Sequence, residues 1–317
     1  MSFKSIPQLD LSDFKSADAA RKGKFVRALG KAYTEIGFVA IKNHGLKDDL
    51  QQDLYEQVKQ FFALPQDIKA KYEIAGMAGQ RGYTGFGKEH AKNKNTGDLK
   101  EFFQFGQSVL DNEDLKKIYP KNVSVDELPT FNPVAMQAYM VLEETGCQML
   151  RAISIYLGLP ENYFEDKIHN GNSILRAIHY PPITSDPGEA VRSAEHEDIN
   201  LITLLMGASA EGLQVKNNAG EWIAVTALPN HIVVNVGDML QRLTNGMLKS
   251  TTHRVVNPPK EKWAEPRFSI PFFLHPVGDM DLNCLPNCIS ATNPKQFDDI
   301  TAGLYLDERL AEIGLKK

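Results

Sequence analysis

The sequence predicts a mainly β protein with flanking helices, an α+β chain whose C-terminal half closes into an antiparallel barrel. Two observations carry this reading. From Ser173 onward the chain breaks into short apolar and β-branched runs, punctuated by Glu211-Gly212 and Asn217-Asn218-Ala219-Gly220, as the turns of such a barrel require. Ahead of that region, apolar residues recur at helical spacing in long stretches. A length of 317 residues would allow two domains, but β-barrel folds of this size often form one unit, and one structural unit is expected.

In chain order, residues 6–11 read as a short strand. Residues 17–36 read as a helix, with Phe25, Leu29 and Ala32 on one face. Residues 37–41 form a strand ended by Asn43-His44-Gly45, and residues 48–62 a helix broken by Leu64-Pro65. The glycine-rich stretch 76–87 has two open readings, a surface loop or a loop that closes over a substrate with Arg81, Tyr83 or Phe86. It is no phosphate cradle, because no strand precedes it and no helix start follows. Residues 98–106 alternate like a strand. A long helix over 132–157 carries a stripe of Tyr139, Leu142, Met149, Ile153 and Tyr156, and stops at Gly158-Leu159-Pro160. The first barrel strand covers 175–182, and the tail turns helical around 304–313. The single unit, 1–317, thus comprises an N-terminal segment (5–120), a long-helix segment (121–171), the barrel core (172–277) and a C-terminal helical tail (278–317).

Composition narrows the function. A net charge of −5 gives no footprint for nucleic acid or an anionic membrane. No apolar run is long enough to span a bilayer, and residues 1–5 lack an apolar signal core. Three cysteines without framework spacing point to a reducing cytoplasm, with Cys284 and Cys288 read as loop thiols. The expected partner is a small-molecule substrate, with the chain a monomer or weak homo-oligomer.

The chemistry concentrates between Ala194 and Ser269. In an extended run, alternate residues share a face, so His196 and Asp198 point inward together. Arg267 and Ser269 repeat that spacing, and His253 lies between the two pairs. A His-x-Asp triplet alone is weak evidence. It gains force from its β-branched flank, from a histidine placed to return across a sheet, and from the Arg-x-Ser pair beyond it. Two imidazoles and one carboxylate on one face of a metal form the ligand set of non-haem Fe(II) oxygenases. Glu195 and Glu197 alternate away from that face, and His44, His179, His231 and His275 read as turn, packing or peripheral residues.

The chain resembles the isopenicillin N synthase-like group of Fe(II)- and 2-oxoglutarate-dependent dioxygenases. The resemblance spans nearly all of it, from Ile6-Pro7-Gln8-Leu9-Asp10 through the run Glu35 to Gly45. It is densest from Asn235 to Gly246 and from Arg267 to Phe273. It implies a double-stranded β-helix, or jelly-roll, core. It implies Fe(II) held by His196, Asp198 and His253, with 2-oxoglutarate as co-substrate and O2 as oxidant. The tyrosine matching Tyr180 often contacts the co-substrate in such proteins. An Asn common two residues earlier is here Ile178, a departure on that side of the site.

Charge supports the co-substrate. Fe(II) at +2, Asp198 at −1 and Arg267 at +1 leave a water-excluding pocket at +2, which a dianion balances. The 1-carboxylate and keto oxygen of 2-oxoglutarate can chelate metal while its distal carboxylate meets the planar fork of Arg267. Ser269 and Tyr180 can add hydroxyl hydrogen bonds. The reaction implied is oxidative decarboxylation to succinate and CO2, coupled to oxidation of a small substrate by hydroxylation, with desaturation or ring closure as variants. No residue beyond the metal centre need act as a general base. Two alternatives stand beside this reading. One is an oxidase like isopenicillin N synthase or aminocyclopropane-carboxylate oxidase, whose Arg-x-Ser pair serves another carboxylate; the other is a non-catalytic cupin-like metal-binding protein. Arg81, Tyr83, Phe86, Phe105 and Phe273 are the expected substrate-pocket residues, Phe273 by sharing the parity of Arg267 and Ser269.

Overall fold

Alternation along the strands decides what each face of the main sheet does. The computed structural model describes residues 5–90, 96–207, 211–226 and 230–316. The strands are β1 (Gln8–Asp10), β2 (Phe38–Lys42), β3 (Gly82–Thr84), β4 (Glu101–Gly106), β5 (Ile174–Tyr180) and β6 (Ser193–His196). They continue as β7 (Ile202–Met206), β8 (Leu213–Lys216), β9 (Trp222–Ala224), β10 (Ile232–Val236), β11 (His253–Val255) and β12 (Arg267–Leu274). Eight of them form one sheet in the order β1-β2-β10-β7-β12-β5-β4-β3, and four form a second, β6-β11-β8-β9. Neighbours are antiparallel except for β1 and β2, which are parallel.

The two sheets face each other as in a jelly roll. Phe38 and Ala40 of β2, Ile178 and Tyr180 of β5, and Val233 of β10 meet Leu213, Val215, Ile223 and Val255 of the small sheet in one apolar layer. The intervening residues Val39, Ile41, Leu175, Ala177 and Val234 point the other way, into the larger core under the helices. The main sheet is therefore buried on both faces, and its strands read as apolar runs rather than as in-out patterns.

Three helices cover its outer face. Ala19–Glu35 starts at Asp18, whose side chain accepts from Ala20 N at 2.8 Å, and buries Phe25, Leu29 and Ala32 as the spacing predicts. It stops at Gly37, where φ is +71° and an added Cβ would sit 2.2 Å from Lys249 O. Asp48–Ala63 and the 26-residue Phe131–Tyr156 follow. Gly146 lets the long helix approach β12, because a Cβ there would lie 2.3 Å from Leu274. Tyr139 meets Phe272 edge-on at 4.9 Å, and Phe61, Phe103, Phe105 and Phe131 form one aromatic cluster. The first strand is shorter than expected, since residues after Asp10 turn into the short helix Leu11–Phe14, capped by the Asp10 carboxylate. The N-terminal strands do not form a layer of their own: β2 pairs with β10 and β4 with β5, so one sheet crosses the segments read from the sequence.

Candidate active site

β6 and β11 bring the two histidines together. His253 is the register partner of His196, and their ring centroids lie 4.3 Å apart. Asp198 arrives differently from the expected strand alternation. It lies in irregular backbone two residues past the end of β6, where its carbonyl accepts from Asp238 N at 2.7 Å. The N-terminus of the helix Asp238–Leu243, which follows β10, thereby fixes it, and Gly237 permits the approach, since a Cβ there would meet Asn200 O at 2.2 Å. The donor atoms of His196, Asp198 and His253 all lie within 4.8 Å of one another, the one such group among the described residues.

Their hydrogen bonds orient these side chains for a metal. His196 Nδ1 is 2.7 Å from Ala194 O and His253 Nδ1 3.0 Å from Thr251 O. Each ring therefore donates from Nδ1 to a carbonyl and turns its Nε2 lone pair toward the shared centre. Asp198 Oδ2 accepts from Thr203 Oγ1 at 2.6 Å and Asn235 Nδ2 at 2.8 Å, while Oδ1 lies 3.7 Å from His253 Nε2. Burial pushes His196 down to about 4, with His253 beside it adding to the effect, so its imidazole is neutral near pH 7. Burial opposes the charge of Asp198, but the two imidazoles hold its carboxyl below the ordinary range.

Arg267 opens β12 opposite Tyr180 of β5, its guanidinium carbon 5.0 Å from the tyrosine ring. Ser269 follows on the same face, opposite Ile178. A cavity of about 450 Å³ runs from the three metal-type donors to this wall, lined also by Tyr180, Arg267, Ser269 and Phe273. Farther along it lies a buried ionic network. Lys100 Nζ contacts Glu89 at 2.7 Å and Asp98 at 2.8 Å, and Arg176 Nη1 reaches Glu89 at 3.0 Å. Arg176 Nε donates to Gln104 at 2.7 Å. Burial alone would raise the Glu89 carboxyl, yet the two cations bring it down to about 2.

Known proteins are similar along the whole chain. The N-terminal model of the non-haem dioxygenases in morphine synthesis matches residues 6–127, and the 2OG-Fe(II) oxygenase superfamily model matches residues 171–276. A 2-oxoglutarate-dependent dioxygenase of Aspergillus rugulosus is 31% identical over 96% of this chain and 97% of its own. The chain belongs to the 2OG-Fe(II) oxygenase superfamily. A proline hydroxylase of Petromyces alliaceus is 32% identical over 97% of this oxygenase and 99% of its own length. The solved structure of a Neurospora crassa protein in complex with alpha-KG and thymine has a TM-score of 0.84 and 31% identity, covering 96% of both chains. This oxygenase is accordingly a 2-oxoglutarate-dependent Fe(II) dioxygenase that uses O2, with a jelly-roll core. Its relatives' dependence on 2-oxoglutarate sets it apart from oxidases that dispense with the co-substrate and from a non-catalytic metal-binding protein. Among the described residues, no helix is long and apolar enough to cross a membrane.

The substrate-pocket expectations need correction. Of the five residues named, Phe273 alone lines the cavity. Arg81 is buried against Gly106 and donates to Gln80 O at 2.8 Å and Pro120 O at 3.2 Å. Tyr83 and Phe105 sit in the helix-facing core, because β3 and the odd residues of β4 turn outward; the Tyr83 hydroxyl bonds Glu101 there. Phe86 is 51% exposed. Conversely, His275 is not peripheral: it continues the parity of Arg267, Ser269 and Phe273 into the cavity. Glu195 and Glu197 also border the cavity, yet both remain exposed. His44 is a turn and packing residue, its carbonyl accepting from Thr145 at 2.5 Å, and His179 stacks on Phe268 behind the sheet at 4.7 Å. Cys284 and Cys288 are buried free thiols.

Thr203, Asn235, Lys100, Arg176 and Gln104 escape a reading of the sequence for function. Strand parity holds a signal for two of them, since Arg176 shares the phase of Ile178 and Tyr180, and Gln104 that of Lys100.

Proposed function

We propose that His196, Asp198 and His253 hold Fe(II), and that Arg267, Ser269 and Tyr180 receive the distal carboxylate of 2-oxoglutarate. The prime substrate is a small organic molecule in the same cavity, and its oxidation is a hydroxylation. The observation that carries this reading is the pairing of two Nε2-inward histidines and one hydrogen-bonded carboxylate with a buried arginine across one cavity.

The residues fit the metal they would hold. Both Nδ1 positions are spent on backbone carbonyls, so the rings cannot turn to present the wrong nitrogen. Thr203 and Asn235 occupy one oxygen of Asp198 and leave the other to ligate. Three protein ligands leave positions for a bidentate keto acid and dioxygen. Fe(II) supplies the activation of dioxygen and of the keto acid; the protein binds, orients and excludes water. Arg267 gives a planar donor fork for a carboxylate in a site 1% exposed at that residue. A cavity of about 450 Å³ suits a molecule of the size of thymine or proline, the compounds in the relatives' names.

The test is co-substrate turnover. The Fe(II)-loaded protein should convert 2-oxoglutarate to succinate, slowly without a prime substrate and faster with one. Asp198→Ala should abolish this. Succinate formation that survives Asp198→Ala would refute the ligand assignment.

A further inference from the structure

The part of the cavity beyond the metal centre is charged but self-compensated. Lys100 is held by Glu89 and Asp98, and Arg176 is held by Glu89, so two cations face two carboxylates inside the barrel. All are buried or nearly so. Lys100 is saturated, with Ser193 Oγ at 3.3 Å as its third contact. Asp98 is likewise engaged, its Oδ1 accepting from Ala194 N at 3.0 Å. Near the tail helix Ala302–Glu312, Arg309 pairs with Glu312 at 2.7 Å. Glu195 and Glu197 lie at the exposed border of the cavity beside the metal centre. Among the described residues in this buried part, a carboxylate substrate would find no uncompensated cation and an ammonium no carboxylate without a cation. Either would be buried without a partner, at a cost of several kcal/mol.

Two hydrogen-bonding positions are left over. Arg176 uses Nε on Gln104 and Nη1 on Glu89, and Nη2 donates to no described residue. His275 Nδ1 is buried without a partner, and burial holds this imidazole neutral, down at about 4. Phe273 and Ile174 present apolar surface beside them, and Leu306 and Leu310 of the tail helix do so as well. Resting on the reading above, in which 2-oxoglutarate balances iron, Asp198 and Arg267, we propose that the prime substrate is an uncharged small molecule. A carbonyl-type oxygen of it accepts from Arg176 Nη2, His275 takes a second polar atom, and its apolar part lies against Phe273. Arg176 and Glu89 are then specificity-determining residues, the first by donating and the second by cancelling the charge of that donor.

The experiment uses the Fe(II)-loaded protein with saturating 2-oxoglutarate, without oxygen, where the keto acid–iron absorbance band reports an intact metal centre. Calorimetric titrations compare amides with the carboxylates of the same skeleton: benzamide with benzoate, and nicotinamide with nicotinate. The wild type should bind the amide of each pair at least about tenfold more tightly, the scale of one hydrogen bond to a charged group. Arg176→Met should cost the amide about tenfold and leave the band unchanged. Glu89→Gln, which unmasks the cations, should shift preference toward the carboxylate. Carboxylates that bind the wild type as well as the amides overturn the proposal. So does failure of both amides to bind while the band is present. A wild type without the band faults the co-substrate reading instead. The wild-type comparison stands alone if either variant fails to fold.

Discussion

His253 is the register partner of His196 across the antiparallel pair β6 and β11, and each ring is locked by its own Nδ1 bond to the backbone. The metal site is thus a property of strand register. A one-residue slip would turn one imidazole to the opposite face.

Outer hydrogen bonds should matter nearly as much as the ligands. Thr203→Val and Asn235→Ala each free the Asp198 carboxylate that they orient. Fe(II) affinity is expected to fall about 10- to 100-fold in each, measured by competition with a chelator of known affinity. Unchanged affinity would mean that the backbone hydrogen bond from Asp238 N suffices to place Asp198.

Arg267→Ala should separate co-substrate from metal. Losing a charge-assisted pair costs about 1.5–3 kcal/mol, so the 2-oxoglutarate dissociation constant should rise roughly 10- to 150-fold. Fe(II) affinity should stay near that of the wild type. Equal losses of both would undo the separate role of Arg267.

Acid should unlock the ionic network. The Glu89 carboxyl sits at about 2 when folded against an ordinary 4.5, so its contribution is complete above 4.5 and is lost as pH falls toward 2. That contribution is on the order of 3 kcal/mol. The stability difference between wild type and Glu89→Gln, from urea midpoints, should be constant above pH 4.5 and change below it. A difference that changes mainly above about pH 6 would place the titration elsewhere.

Gly37→Ala tests the seam between the first long helix and β2. The residue holds φ at +71°, and a Cβ would press on Lys249 O. A loss of about 1–3 kcal/mol is expected from thermal or urea unfolding, with Fe(II) binding of the folded fraction intact. A neutral effect would show that the Lys249 segment moves freely.

Much of this is legible in the sequence, for physical reasons specific to each residue. Period-two alternation places Arg267, Ser269 and Phe273 on one face, because β12 is a regular eight-residue strand. Helical stripes give the three long helices. Alternation does not deliver Asp198, which lies past the strand end and is held by the distant helix N-terminus at Asp238. The pocket aromatics fail for another reason: with the main sheet buried on both faces, nothing in β4 tells Phe105 from Phe102 by hydrophobicity. Lys100 and Arg176 look like solvent-facing charges until Glu89 and Asp98 are seen beside them, and the network joins segments far apart in the chain.

The most direct measurement is an anaerobic titration of the Fe(II)-loaded protein with 2-oxoglutarate, followed by visible absorbance. The expected result is a metal-to-ligand charge-transfer band that saturates at one equivalent and needs far more 2-oxoglutarate in Arg267→Ala. Absence of the band, with Fe(II) demonstrably bound to His196, Asp198 and His253, would contradict it.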